Sequence, residues 1–290
     1  MKVFVTGGTG AVGGHAVTAL VRAGHQVSAL ARTPASAALL AARGARPVRV
    51  SLFDAAGLAV AFDGHDAVVN LASALPPMSR FLFRSAWRRC EHVRTEGSAA
   101  VAEACRRAGV GQLVQESVCL LYRADGPAWV DEDTPVDHFP AARGNLAAEA
   151  NAAGGTVLRF GWFYGPGARH SEQLLALARR HLVLELGPPS GYLSTVNVVD
   201  AGAAALTAPP GTYNVVDDAP LTKRAFSDAL SSAAGARPWL RGPSSAALLF
   251  GDRLTSLTRS LRVRNTRFRS ATGWAPRYPS AREGLAAMAR

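Results

Sequence analysis

The stretch that decides the fold is "KVFVTGGTGAVGGHAV", residues 2–17. An apolar run leads directly into a glycine-rich turn, and the turn leads into a segment with helical apolar spacing. The turn matches the pattern T-G-x-x-G-x-x-G. Glycines let a backbone approach a pyrophosphate closely, and the start of a helix offers free N–H groups and a partial positive charge. The stretch therefore predicts a dinucleotide phosphate site at Gly7, Thr9, Gly10, Ala11, Val12 and Gly13.

The following residues continue the alternation of strands and helices. Further strands are predicted at 111–117 and 155–163, with a helix over 93–108 between them. Near-continuous apolar strands separated by helices indicate parallel βαβ units that are covered on both faces. We therefore expect an α/β fold. It comprises a Rossmann-type doubly wound parallel sheet over residues 1–165 and a smaller C-terminal substrate-binding lobe over 166–290, part of which returns to the sheet.

The composition narrows the class of partner. The chain has 290 residues, a net charge of +11 and 48% hydrophobic residues. The basic residues are scattered and no nucleic-acid-binding motif accompanies them, so a small polyanionic ligand is expected rather than nucleic acid. No apolar run reaches the ~20 residues that span a bilayer. The three cysteines show neither metal nor disulfide spacing, which favours a cytoplasmic protein without metal. The protein is expected to be a monomer or a homodimer.

The end of the second predicted strand, "SALARTPAS", bears on the choice of cofactor. Dinucleotide folds that prefer NAD carry an acidic residue there for the ribose 2′-hydroxyl, and here the place is taken by Ala31. Arg32 and Thr33 follow. A neutral residue beside a guanidinium suits a 2′-phosphate, so the sequence predicts NADP (NADPH) over NAD. The alternative is that Arg32 lies on solvated surface.

With these motifs the chain resembles the extended short-chain dehydrogenase/reductase group, also called the NAD-dependent epimerase/dehydratase family. "SLFDAAGL" (51–58) resembles the segment that contacts adenine, with Asp54 as a helix N-cap, and "VVNLAS" (68–73) resembles the fourth-strand motif. "RTEGSAAVAEA" (94–104) resembles the N-x-x-G-T helix, and "RFGWFYGPG" (159–167) resembles R-x-x-N-x-Y-G-P. The resemblance implies further cofactor contacts from Ser51, Leu52, Leu71, Ala72, Ser73, Arg94, Ser117, Gly161, Trp162 and Phe163.

The catalytic residues of that family are missing. Its Y-x-x-S-K-x-x-x-E helix falls on "AARGNLAAE", which puts Ala141 at the tyrosine position and Asn145 at the lysine position. No tyrosine in the chain has a lysine four residues later. Val118 stands where the catalytic serine is usual, next to Ser117. The ordinary mechanism is therefore excluded, and Ser117 and Tyr164 remain as candidate catalytic residues.

The segment "ALPPMSRFLFRSAWRRCEH", residues 74–92, is expected to form a mobile lid over substrate and nicotinamide. On a helix, Phe81 would share a face with Arg84 and Arg88, and Phe83 would share one with Trp87. The alternative is a helix packed on the small lobe or at a dimer contact. The expected substrate contacts are Phe81, Trp87, Val118 and Trp162.

These features predict an oxidoreductase that transfers hydride from NADPH to a large aromatic ketone of polyketide type. The chain resembles atypical members of the group that lack the triad, among them ketoreductases of angucyclinone antibiotic biosynthesis. A phenol of the substrate itself would then assist its carbonyl group. The main alternative is a non-catalytic NADP-binding redox sensor or scaffold protein. A sugar-nucleotide epimerase or dehydratase ranks last because it needs an acid or base at the lost positions.

Overall fold

The computed structural model describes residues 1–123, 126–139, 142–206 and 208–289. The strands are β1 Lys2–Thr6, β2 Gln26–Leu30, β3 Arg46–Val48, β4 Ala67–Asn70, β5 Gln112–Val118, β6 Trp129–Val130, β7 Thr156–Phe160, β8 Trp162–Tyr164, β9 Leu182–Leu186, β10 Tyr192–Leu193, β11 Thr195–Asn197, β12 Gly211–Val215, β13 Leu221–Thr222, β14 Leu240–Ser244 and β15 Arg262–Val263. The α-helices are α1 Ala11–Arg22, α2 Pro34–Ala42, α3 Ala55–Phe62, α4 Arg84–His92, α5 Ser98–Ala108, α6 Arg143–Asn151, α7 Arg169–Arg179, α8 Val198–Ala203, α9 Lys223–Ala234, α10 Thr255–Thr258, α11 Thr266–Thr272 and α12 Ala281–Met288.

Seven strands form the central sheet, in the order β12-β7-β5-β4-β1-β2-β3, and every neighbouring pair is parallel. Val5 of β1 pairs with Ala29 on one side and with Val69 on the other. The strand order reverses between β1 and β4, and ligands of such sheets bind beyond the carboxyl ends of the strands at this point. The predicted α/β fold with a parallel sheet is confirmed.

Each face of the sheet packs against its own helices. Val5 and Phe160 belong to a core on the face that α1 and α8 cover. Phe4 and Val101 belong to the core on the opposite face, beneath α3 and α5. The helices α1 and α8 lie so close together that a Cβ on Gly202 would lie 2.7 Å from the backbone of α1. Strands buried on both faces explain why their sequences are continuously apolar.

The predicted strand over 155–163 is two strands in the structure. The backbone N–H of Gly161 donates to the carbonyl of Val215 in β12, whereas that of Trp162 donates to Ser194. A Cβ on Gly161 would lie 2.8 Å from the backbone of Thr195, so only glycine permits this crossing. The chain therefore leaves the central sheet at Gly161, and β8 pairs with β11 instead.

The predicted helix over 93–108 is the second half of a longer one. Helices α4 and α5 are joined without a break by a π-helical turn, Val93–Gly97. The hydroxyl of Ser98 donates to the carbonyl of Arg94 at 2.5 Å. Side-chain hydroxyls that compete for helix carbonyls distort the backbone ladder. Single π-helical turns are frequent at functional sites. No helix in the described part of the chain is both long and apolar enough to cross a membrane.

Candidate active site

The glycine turn between β1 and α1 is shaped by close backbone approaches. A Cβ on Gly7 would lie 2.3 Å from the carbonyl oxygen of Leu71, and one on Gly13 would lie 2.1 Å from the carbonyl oxygen of Gly7. The first turn of α1 contains no acidic residue, and no side chain caps it. The N–H groups at the start of α1 therefore remain available. This arrangement suits a pyrophosphate, because both the amides and the helix dipole favour an anion.

The end of β2 leads into the N-terminus of α2. Ala31 is buried, Arg32 is exposed, and Arg32 makes no ion pair with any described residue. The hydroxyl of Thr33 accepts a hydrogen bond from the backbone N–H of Ser36 at 3.1 Å and so caps the helix. Thr33 thus has a structural role in this conformation, and Arg32 is the group that remains available to a phosphate.

The segment after β3 lies against the π-helical turn. A Cβ on Gly97 would lie 2.8 Å from a methyl group of Leu52. Asp54 accepts a hydrogen bond from Gly57 N–H at 3.0 Å, which confirms the predicted N-cap of α3. Ser51 is exposed just before this cap. The adenine side of the predicted cofactor site therefore combines one exposed hydroxyl with one buried leucine.

A chain of buried side-chain hydrogen bonds connects the carboxyl ends of β1 and β4 with the middle of β5. Thr6 donates to Asn70 Oδ1 at 2.5 Å, and Asn70 Nδ2 donates to Gln115 Oε1 at 2.7 Å. Gln115 Nε2 in turn donates to the carbonyl of Glu116 at 2.8 Å. Sequence reasoning missed this network, although "VVN" and "VQE" place amides at the ends of apolar strands. The network fixes the backbone on which the predicted contacts Leu71, Ala72 and Ser73 follow.

Ser117 cannot act as a free hydroxyl in this structure. It is fully buried, and its Oγ donates to Glu149 Oε1 at 2.5 Å. Arg159 holds the same carboxylate through two hydrogen bonds of 2.9 and 2.7 Å. The catalytic role of Ser117 therefore stays a prediction, and in this conformation its hydroxyl is already bonded. Its hydroxyl belongs to a buried network between β5, α6 and β7.

Tyr164 is also inside the protein. Its side chain is fully buried, and its hydroxyl donates to the carbonyl of Ser280 at 3.2 Å. Its ring packs tightly against α12, since a Cβ on Gly284 would lie 2.3 Å from it. Burial and the neighbouring Asp217 raise the pKa of the phenol far above its usual value. The catalytic role of Tyr164 likewise stays a prediction, and its hydroxyl is engaged inside the protein.

The substitution Tyr164→Phe tests whether this phenol takes part in catalysis. We expect kcat and KM to change less than about two-fold, whereas the free energy of unfolding falls by about 1 kcal/mol through loss of one buried hydrogen bond. Steady-state kinetics and urea denaturation of the same preparation measure both effects. A fall in kcat of about 100-fold or more, the size expected for a lost general acid, would restore Tyr164 to the reaction.

Helix α6 carries the place of the missing lysine. Ala141, the tyrosine position, lies outside the described residues. Asn145 is buried, with 3% of its surface exposed, and its Oδ1 has no hydrogen-bond partner among the described residues. The indole Nε1 of Trp162 is likewise buried without a partner there. A buried acceptor and a buried donor left open at one end of the sheet fit a polar ligand such as a ribose or carboxamide.

Arg94 and Glu116 form a second buried pair at this end. Arg94 Nη2 lies 3.4 Å from Glu116 Oε1, and each side chain is about one-tenth exposed. Burial raises the pKa of the Glu116 carboxyl to about 7, even though Arg94 opposes the shift. The resemblance placed Arg94 at the cofactor, but Glu116 was missed. The only signal in the sequence was one carboxylate near the end of an apolar strand.

The lid segment, residues 74–92, lies against α7. The rings of Phe81 and Trp87 are 5.1 Å apart, and Trp87 Nε1 donates to the carbonyl of Phe81 at 2.9 Å. Phe81 also packs on His170 at 5.1 Å, and His170 lies 6.2 Å from the ring of Trp162. Three of the expected substrate residues, Phe81, Trp87 and Trp162, therefore form one aromatic cluster with His170.

Two details of the lid prediction are wrong. Helix α4 begins at Arg84, so Phe81 and Phe83 precede it and share no helical face with its residues. Phe83 is exposed, and the ring of Trp87 packs on Phe81. Val118, the fourth expected substrate residue, is half-buried against the small apolar cluster around Phe139.

Comparison with known proteins decides the family. Residues 7–172, more than half of the chain, match the profile of the NAD(P)H-binding family. The chain belongs to this family. A Streptomyces protein, 3-diazoavenalumate denitrifying reductase, is 34% identical over 98% of this chain and 99% of its own length. The expected class, an NAD(P)H-dependent reductase, is supported.

Solved structures confirm the fold. A human epimerase family protein, SDR39U1, solved with NADPH, superposes with a TM-score of 0.84 at 23% identity, covering 100% of this chain and 99% of that one. The dTDP-glucose 4,6-dehydratase DesIV of Streptomyces venezuelae, solved with NAD, gives 0.80 at 22% identity, covering 100% and 96%. Neighbours with either dinucleotide share the architecture.

Proposed function

We propose that the protein is an NADPH-dependent reductase of aromatic substrates, in which the hydride acceptor needs no proton from a protein hydroxyl. The observation that carries this proposal is the burial of Ser117 and Tyr164, each with an acceptor of its own. Loss of a general acid costs roughly 10²–10⁴ in rate. The substrate must therefore accept hydride without that help, or bring its own.

The chain's own residues hold the reactants in this scheme. The amides after Gly10 would bind the pyrophosphate, and Arg32 would bind the 2′-phosphate. Asn145 Oδ1 and Trp162 Nε1 would bind polar groups of the nicotinamide end. When bound, the cofactor supplies the hydride. Orientation against a planar ring held at Phe81 is then the main catalytic effect, which is as large as general acid catalysis or larger.

An aryl diazo compound is the first acceptor class. As the new C–H bond forms from the hydride pair, the C–N bond breaks and its electron pair leaves with N₂. One arenediazonium ion and one hydride thus give one arene and N₂, and no proton is consumed. The relative of known activity, a denitrifying reductase of a diazo compound, supports this class. A site without an acid suits the reaction.

A phenolic aromatic ketone is the second class. Hydride adds to the carbonyl carbon, and the neighbouring phenol passes its proton to the oxygen that becomes an alkoxide. The aromatic cluster of Phe81, Trp87, Trp162 and His170 favours a large planar substrate of this kind. A ketone without the phenol would lack a proton source and react poorly.

The deciding experiment is NADPH oxidation by purified protein with three matched substrates: an arenediazonium salt, an ortho-hydroxyaryl ketone, and the same ketone with the hydroxyl methylated. Release of N₂ or formation of the alcohol identifies the product. We expect turnover of one or both of the first two and none of the third. Equal turnover of the methylated ketone would contradict the proposal. Tight NADPH binding without any turnover would instead indicate the redox sensor or scaffold.

The substitution Arg32→Ser tests the cofactor assignment. We expect the Kd of NADPH to rise about 10- to 100-fold, since a charged hydrogen bond to the phosphate contributes about 1.5–3 kcal/mol. The Kd of NADH should stay unchanged because it lacks the phosphate. Arg22→Ser, at the exposed end of α1, is the matched control. If Arg32→Ser weakened both cofactors equally, Arg32 would not read the 2′-phosphate.

A further inference from the structure

The Arg94–Glu116 pair is a buried charged pair that the proposed reaction leaves without a role. Its 3.4 Å separation is long for a charge-assisted hydrogen bond, which is usually 2.7–2.9 Å. Buried ion pairs add little to stability because both charges are desolvated. A loosely joined pair in the interior therefore needs another explanation than stability.

The pair lies at the carboxyl edge of the sheet. Glu116 comes two residues before the end of β5, and its carbonyl is tied through Gln115 to Asn70 at the end of β4. Arg94 lies under α6, since a Cβ on Gly144 would lie 3.2 Å from Arg94 Cβ. The next residue of α6 is Asn145, with its unpartnered Oδ1. Pair and open acceptor thus border the same corner of the site.

The other charged groups around this corner are either paired or exposed, as Arg89 and Glu96 are. Glu149 of α6 is bonded to Arg159 of β7, and Glu91 of α4 lies 3.7 Å from Arg143 of α6. His92, at the end of α4, stacks on Phe53. Among the buried groups at the corner, Glu116 has the carboxyl whose pKa burial raises toward neutrality. Below a pH of about 7 its carboxyl is neutral and the pair carries one positive charge; above that pH the pair is neutral.

We propose that Arg94 and Glu116 set the charge beside the nicotinamide and make the site favour the reduced over the oxidised cofactor as the pH falls. The oxidised ring carries a positive charge and the reduced ring is neutral. A net positive pair nearby therefore disfavours only the oxidised form. The inference rests on the cofactor of the proposed function and not on its substrate. Asn145 of α6 stands at the position of the family's lysine and carries no charge. Arg94, in the π-helical turn, supplies a cation next to that position.

The test compares the Kd values of NADP⁺ and NADPH, measured by calorimetry between pH 5.5 and pH 8.5. We expect the ratio of the NADP⁺ Kd to the NADPH Kd to rise about five-fold on going from pH 8 to pH 6, the order of magnitude for one added charge near the ring in a partly hydrated site. In Glu116→Gln the ratio should stay at its high, low-pH value throughout. In the double variant Arg94→Met with Glu116→Gln it should stay at the low value.

Glu103→Gln, an exposed residue of α5, is the control and should keep the wild-type profile. Arg94→Lys keeps the charge and should keep the pH dependence, which guards against misreading a folding defect of Glu116→Gln. An unchanged pH profile in Glu116→Gln would overturn the inference. Because no substrate is added, this result is separate from failure of the proposed reduction.

Discussion

Replacing Gly13 by alanine should weaken NADPH binding by about 100-fold or more. The new Cβ would lie 2.1 Å from the carbonyl oxygen of Gly7, a distance that no relaxed contact allows. The turn must therefore move away from the start of α1, and the amides that face the phosphates would lose their alignment. Loss of about 3 kcal/mol of binding corresponds to a factor of about 100. Calorimetric titration with NADPH measures it directly.

Gly111→Ala is the matched control. Its Cβ would meet the carbonyl oxygen of Asp66 at 3.5 Å, an ordinary contact, and it lies at the opposite, amino-terminal edge of β5. We expect NADPH affinity within about two-fold of the wild type. If Gly13→Ala also bound NADPH normally, the phosphates would not lie on this turn and the cofactor assignment would fail.

The substitution Arg159→Met should lower the free energy of unfolding by about 3–5 kcal/mol. Arg159 holds Glu149 with two hydrogen bonds, and the side chains of both residues are largely buried. Removing the guanidinium leaves a carboxylate in the interior, where the remaining donor is Ser117. Urea denaturation at pH 7.5, followed by circular dichroism, gives the value.

An exposed ion pair provides the comparison. Arg106→Met breaks a contact between α5 side chains that are 67% and 36% exposed, so we expect a loss below about 1 kcal/mol. Adding Glu149→Leu to Arg159→Met removes the stranded carboxylate and should recover part of the loss. A small effect of Arg159→Met alone would mean that water or another group reaches Glu149.

The parts of the fold that the sequence predicts are those with local causes. The spacing of Gly7, Gly10 and Gly13 sets a turn within one βαβ unit, and apolar runs report strands that are buried on both faces. Whether the hydroxyls of Ser117 and Tyr164 are free depends instead on partners that are distant in the sequence. Glu149 lies 32 residues from Ser117, and Ser280 lies 116 residues from Tyr164. No local pattern shows which hydroxyl is already bonded.

The predicted helical faces of the lid segment are wrong for a related reason. Helical spacing predicts that Phe81 and Phe83 share faces with later residues, but the helix starts only after them. Phe81 instead contacts Trp87 and also His170, which lies 89 residues further along the chain. Glu116 was missed because a single polar residue in a strand ordinarily faces solvent. Its burial depends on Arg94 from the distorted turn of a neighbouring helix.

The position of β12 at the edge of the central sheet has a consequence for synthesis of the chain. About 50 residues separate the end of β7 from the start of β12, the last strand to join the central sheet. At about 5–20 residues per second the ribosome needs several seconds to synthesise them. During that interval β7 is an open edge that other nascent chains could pair with. Production of the protein should therefore respond to chaperone supply and to translation speed across this interval.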